Sequence, residues 1–252
     1  MSASALARVT IPVAKWAARF FRPRQRLSVT ACQPQRILAL GVYLADRPNT
    51  ANHVVNELAR SDYHTVTQRW ARIGSGKSSP SIEAHTVLVS EAPMPKFALL
   101  NRLLEGVRLA EYDLLLITDD DITLPHHFVD AFVHVQTKCG FSLCQPARTR
   151  SSWIDHPFVA QQAGLLARRT RFVEIGPLFS LRADLYDCML PFDDSAPMGW
   201  GLDFVWPVKI EQLGKAMGIV DAVPVCHAMR KPVAHYDRSQ AMAQMHDFLL
   251  SR

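Results

Sequence analysis

Three consecutive aspartates, Asp119 to Asp121, directly follow an apolar run and are the residues of this sequence best suited to chemistry. In an extended strand end, Asp119 and Asp121 project to one side and Asp120 to the other. Two carboxylates that converge on one point repel each other unless a cation lies between them. Oxygen ligands select hard cations such as Mg²⁺ or Mn²⁺, which keep open positions for phosphate oxygens. The triplet therefore predicts a divalent-cation site.

Other interpretations of the triplet stay open at this level. An acidic cap before a helix that begins at Pro125 would interact favourably with the helix dipole, but it explains one aspartate better than three. Asp119 and Asp121 also fit the first motif of haloacid-dehalogenase-type phosphatases, in which Asp119 would be the nucleophile. That motif normally follows the first strand of a chain, whereas several strands and helices precede the triplet here. It also expects a later Gly-Asp signature, which Asp193-Asp194 does not match.

A second informative stretch runs from Gly199 through Trp200 and Gly201 to Asp203. The two glycines would allow the backbone to approach a ligand closely, and the tryptophan offers a flat apolar face of the kind on which sugars stack. Asp203 would lie in the first turn of the next helix, where it could accept a proton from an attacking hydroxyl. A tight turn with a packed tryptophan and a capping aspartate is the alternative.

Basic and imidazole side chains could complete such a site. His227 ends a predicted strand and could be an imidazole ligand of the same cation, although a histidine there is more often simply hydrogen-bonded. Arg230 and Lys231 follow it and could face a diphosphate. Lys96 lies in the first turn of a predicted helix, where its ammonium group and free backbone N–H groups suit phosphate. A solvated lysine is the alternative.

Two loops lie beyond the first strands. Asp46, Arg47 and Asn49 follow the first strand, where a nucleotide base would lie in a parallel sheet. The stretch 74–78, with the sequence GSGKS, resembles a phosphate-binding loop, but Ala71 stands where that motif requires its first glycine. We interpret it as a flexible loop.

The apolar pattern alternates short runs typical of strands with amphipathic segments typical of helices. Strands that are apolar throughout are covered on both faces, as in a parallel sheet with crossover helices. Ligands of such sheets bind beyond the carboxyl ends of the strands, where the aspartates lie. We therefore predict an α/β fold with strands at 37–44, 65–73, 86–90, 112–118, 141–145, 172–181 and 218–227, and helices at 49–60, 95–107, from 125, and 202–217.

The composition divides the chain into an arm at 1–35 and one domain at 36–252. Residues 1–36 carry seven basic residues and no acidic one, whereas the rest of the chain carries 21 basic and 23 acidic residues. This distribution argues against a nucleic-acid-binding core.

The apolar and basic stripes within residues 8–26 suit peripheral contact with an anionic membrane, although a disordered arm or a targeting segment would look similar. Five scattered cysteines indicate reduced thiols and a cytoplasmic location, and no zinc site is expected.

With the aspartate triplet, the Gly-Trp-Gly-Leu-Asp stretch and His227 in this order, the chain resembles the GT-A fold glycosyltransferases. Within that superfamily it is most similar to an uncharacterised domain-of-unknown-function family that also carries a Phe-Val-Glu strand, here Phe172 to Glu174. The resemblance covers about Arg36 to Pro232. It implies a Rossmann-like single domain with a mainly parallel central sheet flanked by helices.

The resemblance also implies an activity, the transfer of a sugar from a nucleotide-diphosphate donor, with UDP favoured, to a hydroxyl of a carbohydrate or glycan acceptor. Mn²⁺ or Mg²⁺ would neutralise the leaving diphosphate, with Asp121 and His227 as its ligands. Asp119 would contact the ribose, and Asp203 would be the general base of an inverting displacement. The implied donor site comprises Asp46, Arg47, Lys96, Asn101, Asp119, Asp120, Gly199, Trp200 and Gly201.

Some assignments stay open within this resemblance. Many inverting relatives have Glu-Asp where this chain has Leu202-Asp203, so the general base and the stereochemistry are less firmly implied. Glu174 either pairs internally or touches the sugar. Trp153, Asp155 and His156 lie in a polar loop where residues that bind the acceptor could sit. The phosphohydrolase and a catalytically silent nucleotide-sugar-binding module are the alternative functions.

Overall fold

The computed structural model describes residues 33–230 and 238–252. The basic stretch at 8–26 lies outside these residues, so its contact with a membrane stays a prediction, as does the division of the chain at residue 35. Within the described ranges, none of the helices has the length and apolar character needed to cross a membrane.

The elements alternate along the chain as the apolar pattern predicts. The strands are β1 Arg36–Leu44, β2 Thr65–Ile73, β3 Thr86–Ser90, β4 Leu114–Asp119, β5 Phe141–Arg148, β6 Ala167–Thr170, β7 Leu178–Arg182 and β8 Ala216–Val225. The helices are α1 Ala51–Leu58, α2 Pro80–Glu83, α3 Lys96–Leu104, α4 Phe128–Cys139, α5 Tyr186–Met189, α6 Leu202–Gln212 and α7 Arg238–Leu250.

All eight strands belong to one sheet in the order β3-β2-β1-β4-β7-β5-β8-β6. The first four strands of this order run parallel, and so do β5 and β8. β7 is inserted antiparallel between β4 and β5, and β6 pairs antiparallel with β8 at the edge. The α/β prediction with a mainly parallel sheet is therefore confirmed.

Helices cover both faces of the sheet, which explains why the strands are apolar throughout. Along β1, Ile37 and Ala39 pack into the core beneath α1 and α4. The intervening residues Leu38 and Leu40 pack into a second core on the other face, together with residues of α3 and α6. Successive strand residues point to opposite faces, so each run fills both cores.

The structure corrects two predicted boundaries. The predicted strand 172–181 is a strand only from Leu178, because the N–H of Glu174 donates to the side chain of Gln145 rather than to a neighbouring strand. The predicted helix 202–217 ends at Gln212, and Gly214, with a φ of 65°, turns the chain into β8. Glycine adopts this left-handed conformation without the steric cost that other residues incur.

The close approach of β1 and β2 depends on a glycine. A Cβ at Gly41 would lie 2.2 Å from two ring atoms of Trp70, which is fully buried and donates from Nε1 to Gln68. We expect Gly41→Ala to lower the free energy of unfolding by about 1–3 kcal/mol. Trp70→Leu makes room for the methyl group. The loss of unfolding free energy in the double variant should therefore be smaller than the sum of the two single losses, by roughly 0.5–3 kcal/mol. Urea unfolding of the three variants measures this difference. Strict additivity would show that the predicted clash is absent.

Candidate active site

The aspartate triplet lies at the carboxyl end of β4, between the ends of β1 and β8. Asp119 is the last residue of β4. Thr50 ties the triplet to the loop after β1, since its hydroxyl donates to the carbonyls of Asp120 and Ile122. An isolated antiparallel bridge between Thr123 and Cys226 ties the other side to the end of β8. The three aspartates are therefore held between two neighbouring segments.

Asp120 is a buried structural residue. Its side chain is 3% exposed, and its Oδ2 accepts a hydrogen bond of 2.8 Å from the N–H of Leu44. Arg230 contacts both carboxylate oxygens, and its Nη1 also donates to the carbonyl of Pro48. Burial raises the pKa of Asp120 to about 6, while the hydrogen bond and charge of Arg230 oppose this rise. The side chain therefore joins the ends of β1 and β8, and its predicted contact with the donor stays a prediction.

Asp121 and His227 meet, as the sequence predicts for two ligands of one cation. The distance from Asp121 Oδ1 to His227 Nε2 is 3.3 Å, and Arg230 Nη2 lies 3.1 Å from Asp121 Oδ2. Burial alone would raise the pKa of Asp121. The hydrogen bond from His227 and the charges of His227, Arg230 and Lys96 outweigh burial and hold this pKa below its ordinary value. The carboxylate is therefore ionised and surrounded by positive charge.

Asp119 pairs with Lys96, at the start of α3. Lys96 Nζ lies 2.6 Å from Asp119 Oδ1 and donates to the carbonyl of Ile175 at 3.1 Å. Gly176 lies against this pair, because a Cβ there would be 2.9 Å from Asp119 Oδ2 and 3.0 Å from Lys96 Nζ. The loop before β7 thus reaches the triplet, with a backbone that leaves room for the ion pair.

Behind the triplet lies a charged group that joins Glu174 and His156, both noted in the sequence, to Arg148, which the sequence pattern did not indicate. Arg148, at the end of β5, is 1% exposed, and its Nη2 donates to Glu174 at 2.7 Å and to the carbonyl of Gly176 at 2.6 Å. His156 approaches the other oxygen of Glu174 at 3.1 Å. Despite burial, the hydrogen bond from His156 and the charge of Arg148 hold the pKa of Glu174 below its ordinary value.

Asp203 lies in the first turn of α6 and is 8% exposed. Burial raises the pKa of its carboxyl group to about 6, and the nearby charge of His156 opposes that rise. Its Oδ1 is buried and has no hydrogen-bond partner among residues 33–230 and 238–252. A carboxylate with an unsatisfied acceptor atom can receive a proton or a hydrogen bond from a ligand.

The glycines of the Gly-Trp-Gly turn serve packing. Both have positive φ angles, 86° at Gly199 and 93° at Gly201. A Cβ at Gly199 would lie 2.2 Å from the ring of Phe97, and one at Gly201 would lie 2.8 Å from the ring of Phe248. This differs from the expected close approach of backbone to ligand, because protein side chains already fill the space beside both glycines. Trp200 between them is half-buried.

The other predicted donor residues are distributed around β1 and α3. Asp46 Oδ2 accepts a hydrogen bond from the N–H of Ser75, so the loop at 74–79 packs against it. Arg47 is exposed beside Asp46. The side chain of Asn101 donates to the carbonyl of Phe192 and accepts from its N–H, at 2.8 Å each. Asn101 therefore has a structural role in holding the loop after α5.

A separate cluster unites Asp62, His127 and Asp130, whose ligand atoms all lie within 4.8 Å of one another. It lies between the loop after α1 and the start of α4, away from the residues predicted to bind a cation. Both oxygens of Asp130 already accept hydrogen bonds, from Ser61 Oγ and from the N–H of Asp62. No sequence spacing indicated this group, because its members come from two distant segments.

Solved structures with a similar architecture show what kind of fold this is. A mannosyltransferase from Pyrobaculum calidifontis in complex with GDP-Man and Mn²⁺ has a TM-score of 0.57 and 15% identity, over 98% of this chain and 74% of that one. Glucosyl-3-phosphoglycerate synthase from Mycobacterium tuberculosis, in complex with Mg²⁺ and UDP, has a TM-score of 0.53 and 14% identity, over 93% and 82%. GalNAc-T7 with UDP, GalNAc and Mn²⁺ has a TM-score of 0.56 and 11% identity, over 81% of this chain and 45% of that one.

The chain has the GT-A fold. These similar structures are GT-A glycosyltransferases. No model of a protein family matches the sequence, and no curated protein matches it. The narrower resemblance to a domain-of-unknown-function family therefore stays a prediction. The carboxyl edge of this GT-A sheet holds Asp119, Asp121, Lys96 and His227.

The buried Asp120–Arg230 pair should make stability depend on pH. We expect Arg230→Met to lower the free energy of unfolding by about 3–5 kcal/mol at pH 8, because it leaves a buried carboxylate unpaired. Removing the guanidinium raises the pKa of Asp120 further above its unfolded value. The folded variant therefore binds more protons than the unfolded chain, and its stability falls as pH rises. At pH 5 the carboxyl is mostly protonated, so the loss should be smaller.

Urea unfolding at the two pH values measures this difference. Arg108→Met is the matched control, since the Arg108 side chain is 83% exposed and pairs only at the surface with Glu111. Arg108→Met should lower the free energy of unfolding by less than about 1 kcal/mol at either pH. Equal losses for Arg230→Met at pH 5 and pH 8 would show that Asp120 does not depend on its partner's charge.

Proposed function

We propose that this protein is a metal-dependent glycosyltransferase that moves a sugar from a nucleotide-diphosphate sugar to an acceptor hydroxyl. The observation that carries the proposal is the meeting of Asp121 with His227, at 3.3 Å, beside the ion pair of Asp119 and Lys96. These four side chains lie at the carboxyl edge of a GT-A sheet, where ligands of open α/β sheets bind.

The residues at this edge fit a divalent cation. Asp121 supplies carboxylate oxygens and His227 supplies a ring nitrogen, a donor set that suits Mn²⁺ or Mg²⁺ with positions left for water and diphosphate oxygens. When bound, the cation would neutralise negative charge on the leaving diphosphate. The solved mannosyltransferase contains Mn²⁺ and GDP-Man, and glucosyl-3-phosphoglycerate synthase contains Mg²⁺ and UDP, which supports this assignment.

The chain's own cations would bind the donor. Lys96 and Arg230 flank the carboxylates and can each direct an N–H group at a diphosphate oxygen. Asp119, fixed by Lys96, would accept a hydrogen bond from the ribose. Asp46 and Arg47, beyond the end of β1, would line the space for the base, for which UDP is our favoured choice. The half-buried Trp200 would contact the sugar beside the turn that begins α6.

Asp203 would be the general base. Its unpartnered Oδ1 would take the proton from the acceptor hydroxyl as the acceptor oxygen bonds to the anomeric carbon of the donor. The bond between that carbon and the diphosphate oxygen breaks, and its electron pair leaves with the nucleoside diphosphate. Attack from the face opposite the leaving group inverts the anomeric configuration. The phosphohydrolase alternative has less support, because the similar structures are glycosyltransferases.

Donor binding should depend on the cation and on Asp121. We expect UDP with Mn²⁺ to raise the melting temperature of the protein by about 5–10 °C at a concentration near 100 times its dissociation constant. Asp121→Ala should abolish most of this shift, since it removes a cation ligand. The comparison is a thermal melt with UDP or GDP, with and without Mn²⁺.

Asp62→Ala, in the separate Asp-His-Asp cluster, is the matched control and should keep the full shift. A shift that needs Asp62 but not Asp121 would place the cation in the other cluster and would contradict the proposed donor site. No shift with either nucleotide would contradict the proposed function.

The rate should follow the ionisation of Asp203. Since a general base must be deprotonated and burial raises the pKa of Asp203 to about 6, kcat/KM should rise with pH up to about 6 and then level off. Asp203→Asn should keep the UDP and Mn²⁺ melting shift and lower kcat by about a hundredfold or more. Release of UDP from a donor, recorded between pH 5 and pH 8.5, measures both effects. A variant with unchanged kcat would exclude Asp203 as the base. A protein that binds UDP without turnover would be the silent binding module.

A further inference from the structure

An exposed aromatic cluster lies beside Asp203. Phe172 is its centre, with its ring centroid 4.8 Å from that of His156, 5.0 Å from that of Phe158 and 5.6 Å from that of Phe204. Phe158 is 43% exposed and Phe204 is 49% exposed, so both outer rings present a face to solvent. Phe204 directly follows Asp203 at the start of α6. An exposed group of aromatic rings on a folded surface often marks a binding site.

His156 adds a fixed hydrogen-bonding group to this cluster. Its Nδ1 lies 3.1 Å from Glu174, whose other oxygen is held by the fully buried Arg148. If Nδ1 donates to the carboxylate, the ring orientation is set from behind by a rigid partner. Nε2 has no hydrogen-bond partner in the described part of the chain, and the side chain is 39% exposed. His156 therefore presents one free ring nitrogen beside the aromatic rings.

The charges around His156 favour the donor form of that nitrogen. The hydrogen bond that His156 donates to Glu174, which outweighs partial burial, and the negative charges of Glu174, Asp203 and Asp155 raise the pKa of His156 above its ordinary value. A protonated imidazole donates from both nitrogens. The shift therefore favours a ligand that offers an oxygen acceptor to this nitrogen.

We propose that His156, Phe158 and Phe204 form the acceptor subsite and that the subsite binds a carbohydrate ring. This inference rests on the proposed function, because it takes Asp203 as the base. A sugar ring has an apolar C–H face that can stack on Phe158 or Phe204, and its hydroxyl oxygens can accept from His156 Nε2. A neighbouring hydroxyl would then lie beside the carboxyl group of Asp203.

His156, the polar member of the cluster, favours a sugar over a lipid chain as the ligand. An alkyl or isoprenoid chain would cover the rings but would leave the imidazole of His156 without an acceptor, at a cost in free energy. A sugar satisfies both the rings and the histidine. The same pairing of apolar surface with a few fixed polar groups is typical of small-molecule sites.

The test is binding of methyl hexopyranosides to the full chain with UDP and Mn²⁺ present, measured by saturation-transfer NMR, with decyl phosphate as the lipid-like probe. We expect at least one glycoside to bind. Phe204→Ala and His156→Phe should each weaken it by about tenfold, since one removes a stacking face and the other removes the donor while keeping an aromatic ring. Tyr63→Ala, at a 42% exposed tyrosine outside the cluster, should change nothing.

Other results would overturn the subsite. Glycosides that bind equally to the wild type and both variants would place the acceptor elsewhere, and binding of decyl phosphate alone would assign the cluster to a lipid. Thermal melts of the same samples with UDP and Mn²⁺ distinguish a failure of the acceptor subsite from a failure of the proposed donor site. If the wild type shows the nucleotide shift but binds no glycoside, the subsite is wrong and the proposed donor site stands.

Discussion

The structure depends on the compensation of three consecutive carboxylates at the end of β4. Each aspartate has its own basic partner, Lys96 for Asp119, Arg230 for Asp120 and the imidazole of His227 for Asp121. These partners come from α3 and from the segment after β8, far apart in sequence. An uncompensated buried charge is costly, so the fold must bring α3 and β8 to the end of β4 before the triplet can be buried.

Neighbouring aspartates thereby acquire different properties. Burial raises the pKa of Asp120 to about 6, although the hydrogen bonds from Arg230 and from the N–H of Leu44 oppose this rise. The pKa of Asp121 is lowered although it is also largely buried, because the hydrogen bond from His227 and the charges of Arg230 and Lys96 favour its ionised form. Asp120 therefore joins the end of β1 to the segment after β8. Asp121 keeps the negative charge that the proposed cation site requires. The functional division follows from the partners of each carboxylate, since the N–H of Leu44 binds Asp120 whereas His227 contacts Asp121.

Apolar periodicity predicted most of the fold, because strands buried on both faces and helices buried on one leave a repeating pattern. It also placed the triplet, His227 and Asp203 at the ends of elements that do meet. The segment 172–177 and the antiparallel insertion of β7 were not predictable, since pairing direction is decided by tertiary contacts rather than by local pattern. Of the Arg148–Glu174–His156 group, only Arg148 was missed, because a charged residue at a strand end carries no sign of its distant partner.

The position of Arg230 shows how the proposed cation site can share its carboxylates with a structural ion pair. Its Nη2 lies 3.1 Å from Asp121 Oδ2, and the same side chain contacts both oxygens of Asp120 and the carbonyl of Pro48. In this arrangement the guanidinium supplies the positive charge that Asp121 needs. Loss of the single contact with Asp121 would leave the bidentate pair and the Pro48 hydrogen bond in place. Asp121 can therefore exchange one positive partner for another while the connection between β1, β4 and β8 stays intact.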